Sequence, residues 1–326
     1  MREFTVTKND AGQRLDRWLG KTLPLLPAPL AQKYIRLKRV KLNGKGAKRD
    51  TRLAVGDVLQ LYINDEFFDA PAPENAFLSV FKPQLDIVYE DEHILLVNKR
   101  PGLLVHPDQG EYVNTLITHI QAYLYQKKEW DPRQEHSFTP ALCNRIDRNT
   151  GGIVIAAKTA EALRIMNQKI KDREIEKYYL CAIHGRMNPP EGRLEGFLSK
   201  DESKNQVTVH KTPVPGGRTA VTLYKTLKVQ NGLSLVECEL ITGRTHQIRA
   251  QFAAAGHPLL GDGKYGRSRD NKRYDRKFQA LWSYKLVFSF TTDAGVLEPL
   301  NGKIWQVEQV DFVEEYFPRQ PRKNTL

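Results

Sequence analysis

The 326-residue chain has no run of 18 or more apolar residues, which excludes a helical membrane span. Its start, Met1 to Val6, lacks the charged-then-apolar pattern of a secretory signal, so a cytoplasmic protein is expected. Cysteine is scarce. Cys143, Cys181 and Cys238 are widely spaced and form no Cys-x-x-Cys pair, which argues for reduced core thiols and against a disulfide or zinc framework. His246 and His257 have no ligand spacing with another His or Cys, so no metal is expected. There is no internal repeat and no low-complexity tract.

What the chain does have is positive charge. Fifty Lys/Arg against 38 Asp/Glu give a net +12, and the excess is uneven. Residues 1–63 hold fourteen basic and five acidic side chains, while the remaining 263 residues are nearly balanced. A basic phosphate-binding module ahead of a near-neutral domain is the natural reading. Adhesion to an anionic membrane is the weaker reading of this charge. A nucleic acid partner is expected.

The basic segment reads as helix, helix, hairpin. Leu15, Trp18, Leu19 and Leu23 recur at helical spacing, with Arg14, Arg17 and Lys21 on other faces. After a corner at Pro24, Pro27 and Pro29 comes a second short helix, with Leu30, Tyr34 and Leu37 on one side and Lys33, Arg36, Lys38 and Arg39 around the rest. Val40–Leu42 leads into Asn43-Gly44, a pair suited to positive φ in a hairpin turn. The segment resembles the small RNA-binding domain named after ribosomal protein S-four, through Arg14 to Leu19, Lys38 to Gly44 and Val55 to Val58. The resemblance makes Arg14, Arg17, Lys33, Arg36, Lys38, Arg39 and Lys41 candidate RNA contacts; the Pro-rich corner departs from the usual Ser/Arg-containing stretch.

Residues 64–84, with acidic, aromatic and Pro residues, read as a linker. Beyond it strands are expected at 87–89, 94–98, 152–157, 178–183, 206–210, 219–228 and 233–241. Helices are expected at 113–126, 159–171 and 245–255, the last stopping at Gly256. Because strands cluster and do not alternate with helices, the fold class expected for residues 85–312 is α+β, a large mixed and mainly antiparallel sheet flanked by helices and loops. The tail, 313–326, is expected to be disordered.

The most informative stretch runs from Asn144 to Gly152. Asp147 sits between Arg145 and Arg148, at the head of a Thr-Gly-Gly turn and before the apolar run Ile153 to Ala157. A carboxylate kept ionised by flanking cations at the mouth of a strand is a candidate nucleophile; taken alone, it is more simply a turn Asp beside solvated arginines. Other blocks change the balance: Asn98 to Pro107, Glu176 to Leu180, and Thr242 to Arg249, where polar groups crowd a helix start. Together they resemble the RluA-type pseudouridine synthases. That family's His-Arg-Leu-Asp-x-x-Thr-Ser-Gly block, which bears its catalytic Asp, falls on residues 144–152. Its Lys-x-Tyr-Leu-Ala block places a base-stacking aromatic at Tyr179. Its Gly-Arg-Thr-His-Gln-Ile-Arg block places the Asp-pairing arginine at Arg249. Blocks at 89–93, 98–107 and 261–266 match as well, and the resemblance runs from about 86 to 292. Asn144, Gly151, Cys181 and Trp282 depart from the family's usual His, Ser, Ala and His.

The resemblance implies an RNA isomerase that converts uridine to its carbon-linked isomer, with large-subunit ribosomal RNA favoured as substrate and transfer RNA second. Asp147 would attack the anomeric carbon or abstract the neighbouring sugar proton, with Arg249 holding it through a bidentate pair in a water-poor site. The target nucleotide must leave its stack, so Tyr179 would support the flipped base. Tyr178 and Tyr179 face opposite ways on a strand, so only one can do so. Arg145 and Arg148 would handle phosphate or loop geometry. No cofactor and no obligate protein partner are called for. Three rival readings fare worse. A non-catalytic RNA-binding protein has no need of Asp147, Tyr179 and Arg249, and a nucleoside hydrolase wants a second carboxylate that no block supplies. Gly261-x-Gly263-x-x-Gly266 fits the dinucleotide fingerprint formally, but it leads into the basic stretch 267–277 and not into an apolar helix.

Overall fold

The structure is a computed structural model that describes residues 1–318, apart from 8–9, 24–25, 27, 65, 70–72, 109, 133–137, 267–270 and 275. Two prolines of the corner, part of the linker, part of the basic 267–277 stretch and the tail from 319 therefore lie outside the described residues. The chain divides into two compact units, Met1–Phe81 with Asp131–Phe138, and Lys82–Trp130 with Thr139–Leu326.

In the first unit, β1 (Arg2–Thr5), β2 (Val40–Leu42), β3 (Lys45–Gly46) and β4 (Val58–Leu61) form an antiparallel sheet in the order β1-β4-β2-β3. Helices α1 (Leu15–Thr22) and α2 (Ala28–Arg36) share its core, and a one-turn helix, α3 (Glu66–Asp69), follows β4. The apolar stripe of α1 is buried as its spacing predicts: Leu15, Trp18, Leu19 and the following Leu23. In α2 the buried face is Ala31, Tyr34 and Ile35, whereas Leu37 is exposed. That corrects the expected face, because α2 ends at Arg36 and Leu37 no longer follows the helical period. Asn43 (φ +50°) and Gly44 (φ +79°) form the tight hairpin turn. The strand β1 was not expected from sequence; it pairs along β4 from Arg2↔Leu61 to Thr5↔Val58, and Phe4 meets Trp18 edge-on at 5.5 Å.

The second unit is α+β, built on one 11-stranded sheet. Its strands are β5 (Ile87–Glu90), β6 (Ile94–Lys99), β7 (Ala141–Leu142), β8 (Gly151–Ala157), β9 (Ile175–His184), β10 (Glu191–Asp201), β11 (Gln206–His210), β12 (Arg218–Gln230), β13 (Leu233–Leu240), β14 (Leu281–Phe288) and β15 (Ile304–Gln306). The main path is β11-β10-β12-β13-β9-β14-β8-β6-β5, antiparallel except where β14 meets β8. Preceding α4 (Leu116–Gln126) and α5 (Ala160–Lys171) are Thr115 and Thr159, whose hydroxyls accept from Thr118 and Ala162 amides, satisfying donors that a helix start leaves unpaired. Beyond α6 (Gln247–Ala254), Gly256 takes φ +87° and ends the turn. Residues 313–316, expected to be irregular, belong to a helix, Asp311–Tyr316, because Phe312 and Phe317 are buried in the core.

The parallel pairing of β14 with β8 positions the site. Trp282 pairs with Gly151 and Ser283 with Gly152. Gly152 has φ +117°, and a Cβ there would lie 2.2 Å from the Ser283 carbonyl oxygen; one on Gly151 would lie 2.4 Å from the Trp282 ring. Only glycines let these backbones approach so closely. The approach sets the loop before β8 beside β14 and, one strand further, β9.

Candidate active site

Asp147 lies on the loop between β7 and β8, Tyr179 on β9, and Arg249 on α6. All three line one cavity of about 300 Å³. The apolar part of its wall includes Ile170, Leu240, Ile248 and Leu281, and the rim includes Arg145 and Arg244.

The arginine is the pivot. Arg249 is only 6% exposed, and its Nη1 donates to Asp147 Oδ2 at 2.8 Å. The bidentate pair expected with Asp147 is instead made with Asp262: Nε donates to Oδ2 at 2.7 Å and Nη2 to Oδ1 at 3.0 Å. The reason is steric and electrostatic. Asp262 is fully buried, and an unpaired buried carboxylate is costly, so it takes the fork, while the partly exposed Asp147 receives the remaining nitrogen. Burial works against charge on both partners. For Arg249, Asp262 and then Asp147 outweigh it and hold the guanidinium above its usual pKa. For Asp262, Arg249 and the amides of Tyr265 and Lys264 outweigh it and hold the carboxyl below its usual range. Asp147 thus rests against a cation that is itself anchored, and its side chain lines the cavity and stays 25% exposed.

The Thr242–Arg249 block is held by Gln247, whose side-chain oxygen accepts from Thr242 Oγ1 at 2.8 Å and from the Arg244 amide at 3.1 Å. Its nitrogen donates to the Val221 carbonyl at 3.0 Å and to Thr222 Oγ1 at 2.9 Å. Every polar atom of this buried amide is engaged, which ties α6 to β12.

Tyr179 is buried, and burial together with the Asp147 charge pushes its phenol up to about 12; at neutral pH it is an uncharged aromatic with a hydroxyl. Tyr178 faces the other side, donating to Glu176 at 2.8 Å beneath the Lys285 ammonium. The alternation of the strand therefore leaves Tyr179 as the cavity aromatic.

Three side chains of the site carried no role in the sequence reading. Asp262 was visible only as part of the 261–266 block. Lys99, fully buried, donates from Nζ to the carbonyls of Arg100 (3.0 Å), Leu103 (2.9 Å) and Arg148 (2.9 Å), which binds the Pro101-Gly102 turn to the Asp147 loop; burial draws its pKa down to about 7, against the pull of Asp147. His246 puts Nε2 3.8 Å from Asp147 Oδ2. A buried lysine in a Lys-Arg-Pro-Gly turn was the one readable signal for Lys99.

Arg145 is exposed at the rim, and Arg148 Nε folds back on the Gly102 carbonyl at 3.1 Å. Asn144 accepts from the Ile155 amide at 2.8 Å, and Trp282 Nε1 donates to Asn98 at 3.1 Å. Trp282 and Gly151 go together, since a Ser Cβ at 151 would collide with that ring. Cys181 and Cys238 are buried free thiols.

In the first unit, Arg17, Lys33, Arg36 and Lys38 are exposed and make no ion pair among the described residues. Arg14 is held by Asp16 at 2.6 Å, while Arg39 and Lys41 lie over the rings of Tyr34 and Tyr62. Two basic concavities result, one lined by Arg14, Arg17, Lys21 and Arg52, the other by Lys33, Arg36, Lys38, Lys48 and Arg49. Among the described residues no helix is long and apolar enough to cross a membrane and no group of His, Cys, Asp and Glu could hold a metal.

Comparison with known proteins gives the family. The family model for RNA pseudouridylate synthase matches residues 93–254. The chain is 32% identical over 317 residues to ribosomal large subunit pseudouridine synthase D of Zymomonas mobilis, covering 96% of this chain and 93% of that one. It is 33% identical over 296 residues to an uncharacterised RNA pseudouridine synthase of Mycoplasma genitalium, covering 88% of each. Ribosomal large subunit pseudouridine synthase C of Vibrio cholerae is 31% identical over 301 residues, covering 91% of this chain and 89% of that one. Human RNA pseudouridylate synthase domain containing 1 shares the fold, with a TM-score of 0.52 at 19% identity over 72% of this chain and 94% of that one. The chain belongs to the RNA pseudouridylate synthase family, of the RluA type, and is an RNA-modifying isomerase.

Proposed function

We propose that the protein isomerises specific uridines of large-subunit ribosomal RNA, with Asp147 as the reacting carboxylate, Arg249 as its ion-pair partner and Tyr179 as the platform for the flipped base. The observation that carries this reading is the meeting of those three side chains in one cavity, with Asp147 bound at 2.8 Å by an arginine already anchored on Asp262. Breaking the bond between base and sugar needs a preorganised anion at the anomeric carbon or its neighbour, and a fixed guanidinium keeps that anion in place without reorganisation. The apolar wall and the neutral Tyr179 ring suit an unstacked base. The ribosomal substrate rests on relatives whose names specify the large subunit; transfer RNA is second.

The first unit, residues 1–63 in the division proposed from charge, would grip structured RNA through phosphates. Its exposed cations Arg17, Lys33, Arg36 and Lys38, which make no ion pair among the described residues, fit counterion-releasing contacts, so affinity should fall steeply with salt. A cytoplasmic setting follows from that substrate. The test is carbodiimide-based pseudouridine mapping of ribosomal and transfer RNA treated with wild type and with Asp147→Ala. New pseudouridines with the wild type alone support the reading; none with either protein, on unmodified RNA that is nevertheless bound, would sink it in favour of a binding role.

A further inference from the structure

His246 is built more elaborately than a loop residue needs. It takes the left-handed conformation, φ +52° and ψ +19°, at the residue before α6, yet its ring forms no capping hydrogen bond. A non-glycine residue held in that region at a functional cleft stores strain that its surroundings must outweigh. Here the surroundings lock the ring. Nδ1 lies 2.8 Å from the Tyr265 hydroxyl, and the two rings meet edge-on with centroids 5.6 Å apart.

The network assigns the tautomer. The Tyr265 oxygen accepts from the Val207 amide at 2.8 Å, which leaves its own O–H proton to give to His246 Nδ1, 2.8 Å away. A donor at Nδ1 leaves Nδ1 as the acceptor and puts the ring proton on Nε2. Burial disfavours the imidazolium, with Arg249 and Lys264 in support, against the pull of Asp147 and Asp262, so the ring is neutral near pH 7. The relay therefore runs from Val207 N–H to Tyr265 O–H to His246, and delivers an N–H toward the carboxylate of Asp147.

The gap is the informative part. At 3.8 Å, Nε2 and Asp147 Oδ2 are too far apart for a mutual hydrogen bond. An oxygen placed beside both can lie within about 2.8 Å of each, receiving the Nε2 proton and giving its own to the carboxylate. A water can do both in the free enzyme, and a substrate hydroxyl can do both when it takes that place. Resting on the reading that Asp147 works at the anomeric carbon of a flipped uridine or on its neighbouring sugar proton, the hydroxyl that falls there is the one on the adjacent carbon. We propose that His246 and Asp147 together grip the 2′-hydroxyl of the target nucleotide, which makes His246 the residue that selects ribose over deoxyribose at that position.

The test uses the full-length protein and two synthetic RNA fragments that span a uridine modified by the wild type. One carries uridine there, the other 2′-deoxyuridine. The half-saturating concentration for first-turnover conversion gives the affinity for the first, and its inhibition by the second gives the other, so the second need not react. The wild type should prefer ribose about tenfold, on the scale of a hydrogen-bonded hydroxyl in a closed site. In His246→Ala the ratio should fall severalfold, through weaker binding of the uridine fragment alone, with what is left carried by Asp147. His246→Gln, which keeps an N–H near the Nε2 position, should retain part of the preference, and Tyr265→Phe, which frees the tautomer, should lose part of it. A wild-type ratio near one, an unchanged ratio in His246→Ala, or equal weakening of both fragments would each overturn the proposal. If the wild type modifies no uridine, the functional reading fails first and this inference falls with it; if it does and the ratio does not respond to His246, the inference alone fails.

Discussion

The two units of this molecule handle charge in opposite ways. In the first, Arg17, Lys33, Arg36 and Lys38 stand in solvent with no ion-pair partner among the described residues. In the second, the charges at the cavity are buried and multiply bonded: Arg249 by two carboxylates, Asp262 by a guanidinium and two amides, Lys99 by three carbonyls. Exposed cations are cheap to hold and strongly salt-screened, which suits the capture of a polyanion whose sequence need not be read. Buried charges require partners and gain directional strength in the low dielectric, which suits a reaction that needs one carboxylate held in one place. On the proposed function, affinity and chemistry rest on different kinds of electrostatics, and each kind can be perturbed separately.

The sharpest way to break that separation is at Asp147. Asp147→Asn keeps the shape and the Arg249 contact but removes the anion, so single-turnover pseudouridine formation should fall by about a thousandfold or more while filter-binding affinity for the RNA stays within about twofold. Next comes the anchor. Asp262→Asn leaves Arg249 buried with one carboxylate partner in place of two, a loss of about 3–5 kcal/mol when a buried pair is broken; calorimetry should show a lowered melting temperature, and the rate should drop without a matching loss of affinity. On the other side, Arg17→Ala/Lys33→Ala/Arg36→Ala should leave the rate at saturating protein unchanged. It should weaken RNA binding and make the slope of log affinity against log salt shallower by about two to three.

The smallest expected effect lies outside both sites. Burial would raise the Glu90 carboxyl, but Lys127, Lys158 and Tyr123 outweigh it and hold its pKa at about 2. A carboxyl whose folded pKa lies below its unfolded value stabilises the fold above about pH 4.5 and loses that contribution as the pH falls toward 2. Acid unfolding should therefore begin earlier in wild type than its neutral-pH stability implies, and Glu90→Gln should reduce stability at pH 7 by on the order of 2 kcal/mol with little difference left near pH 2.

How much of this was legible beforehand depends on the kind of signal. Strands with β-branched runs, such as β6, β8 and β13, and helices with clear stops, such as α6 at Gly256, were read close to their bounds. The strand β10 was not, because Gly192 and Gly196 interrupt its pattern; a Cβ at Gly196 would sit 2.8 Å from the His210 carbonyl oxygen, so the glycine serves the pairing with β11 that it hides. The strands β14 and β1 were also missed, one mixing polar and aromatic residues and the other only four residues long. At the site, Asp147, Tyr179 and Arg249 could be named from ordered blocks. The fork between Arg249 and Asp262 could not, because the two are thirteen residues apart across a turn and no period relates them. His246 was dismissed for lack of metal spacing, and its surroundings appear only when Tyr265 and Val207 are brought together by the fold.

The most direct test of the central claim is a side-by-side measurement on one RNA fragment: the first-turnover rate constant and the half-saturating concentration for Arg17→Ala/Lys33→Ala/Arg36→Ala, and binding with product formation for Asp147→Asn. The triple variant should convert the target uridine at the wild-type rate once saturated, and Asp147→Asn should bind normally and form no detectable pseudouridine. Pseudouridine from Asp147→Asn at a rate near wild type, or a triple variant whose saturated rate collapses while its affinity holds, would contradict the claim.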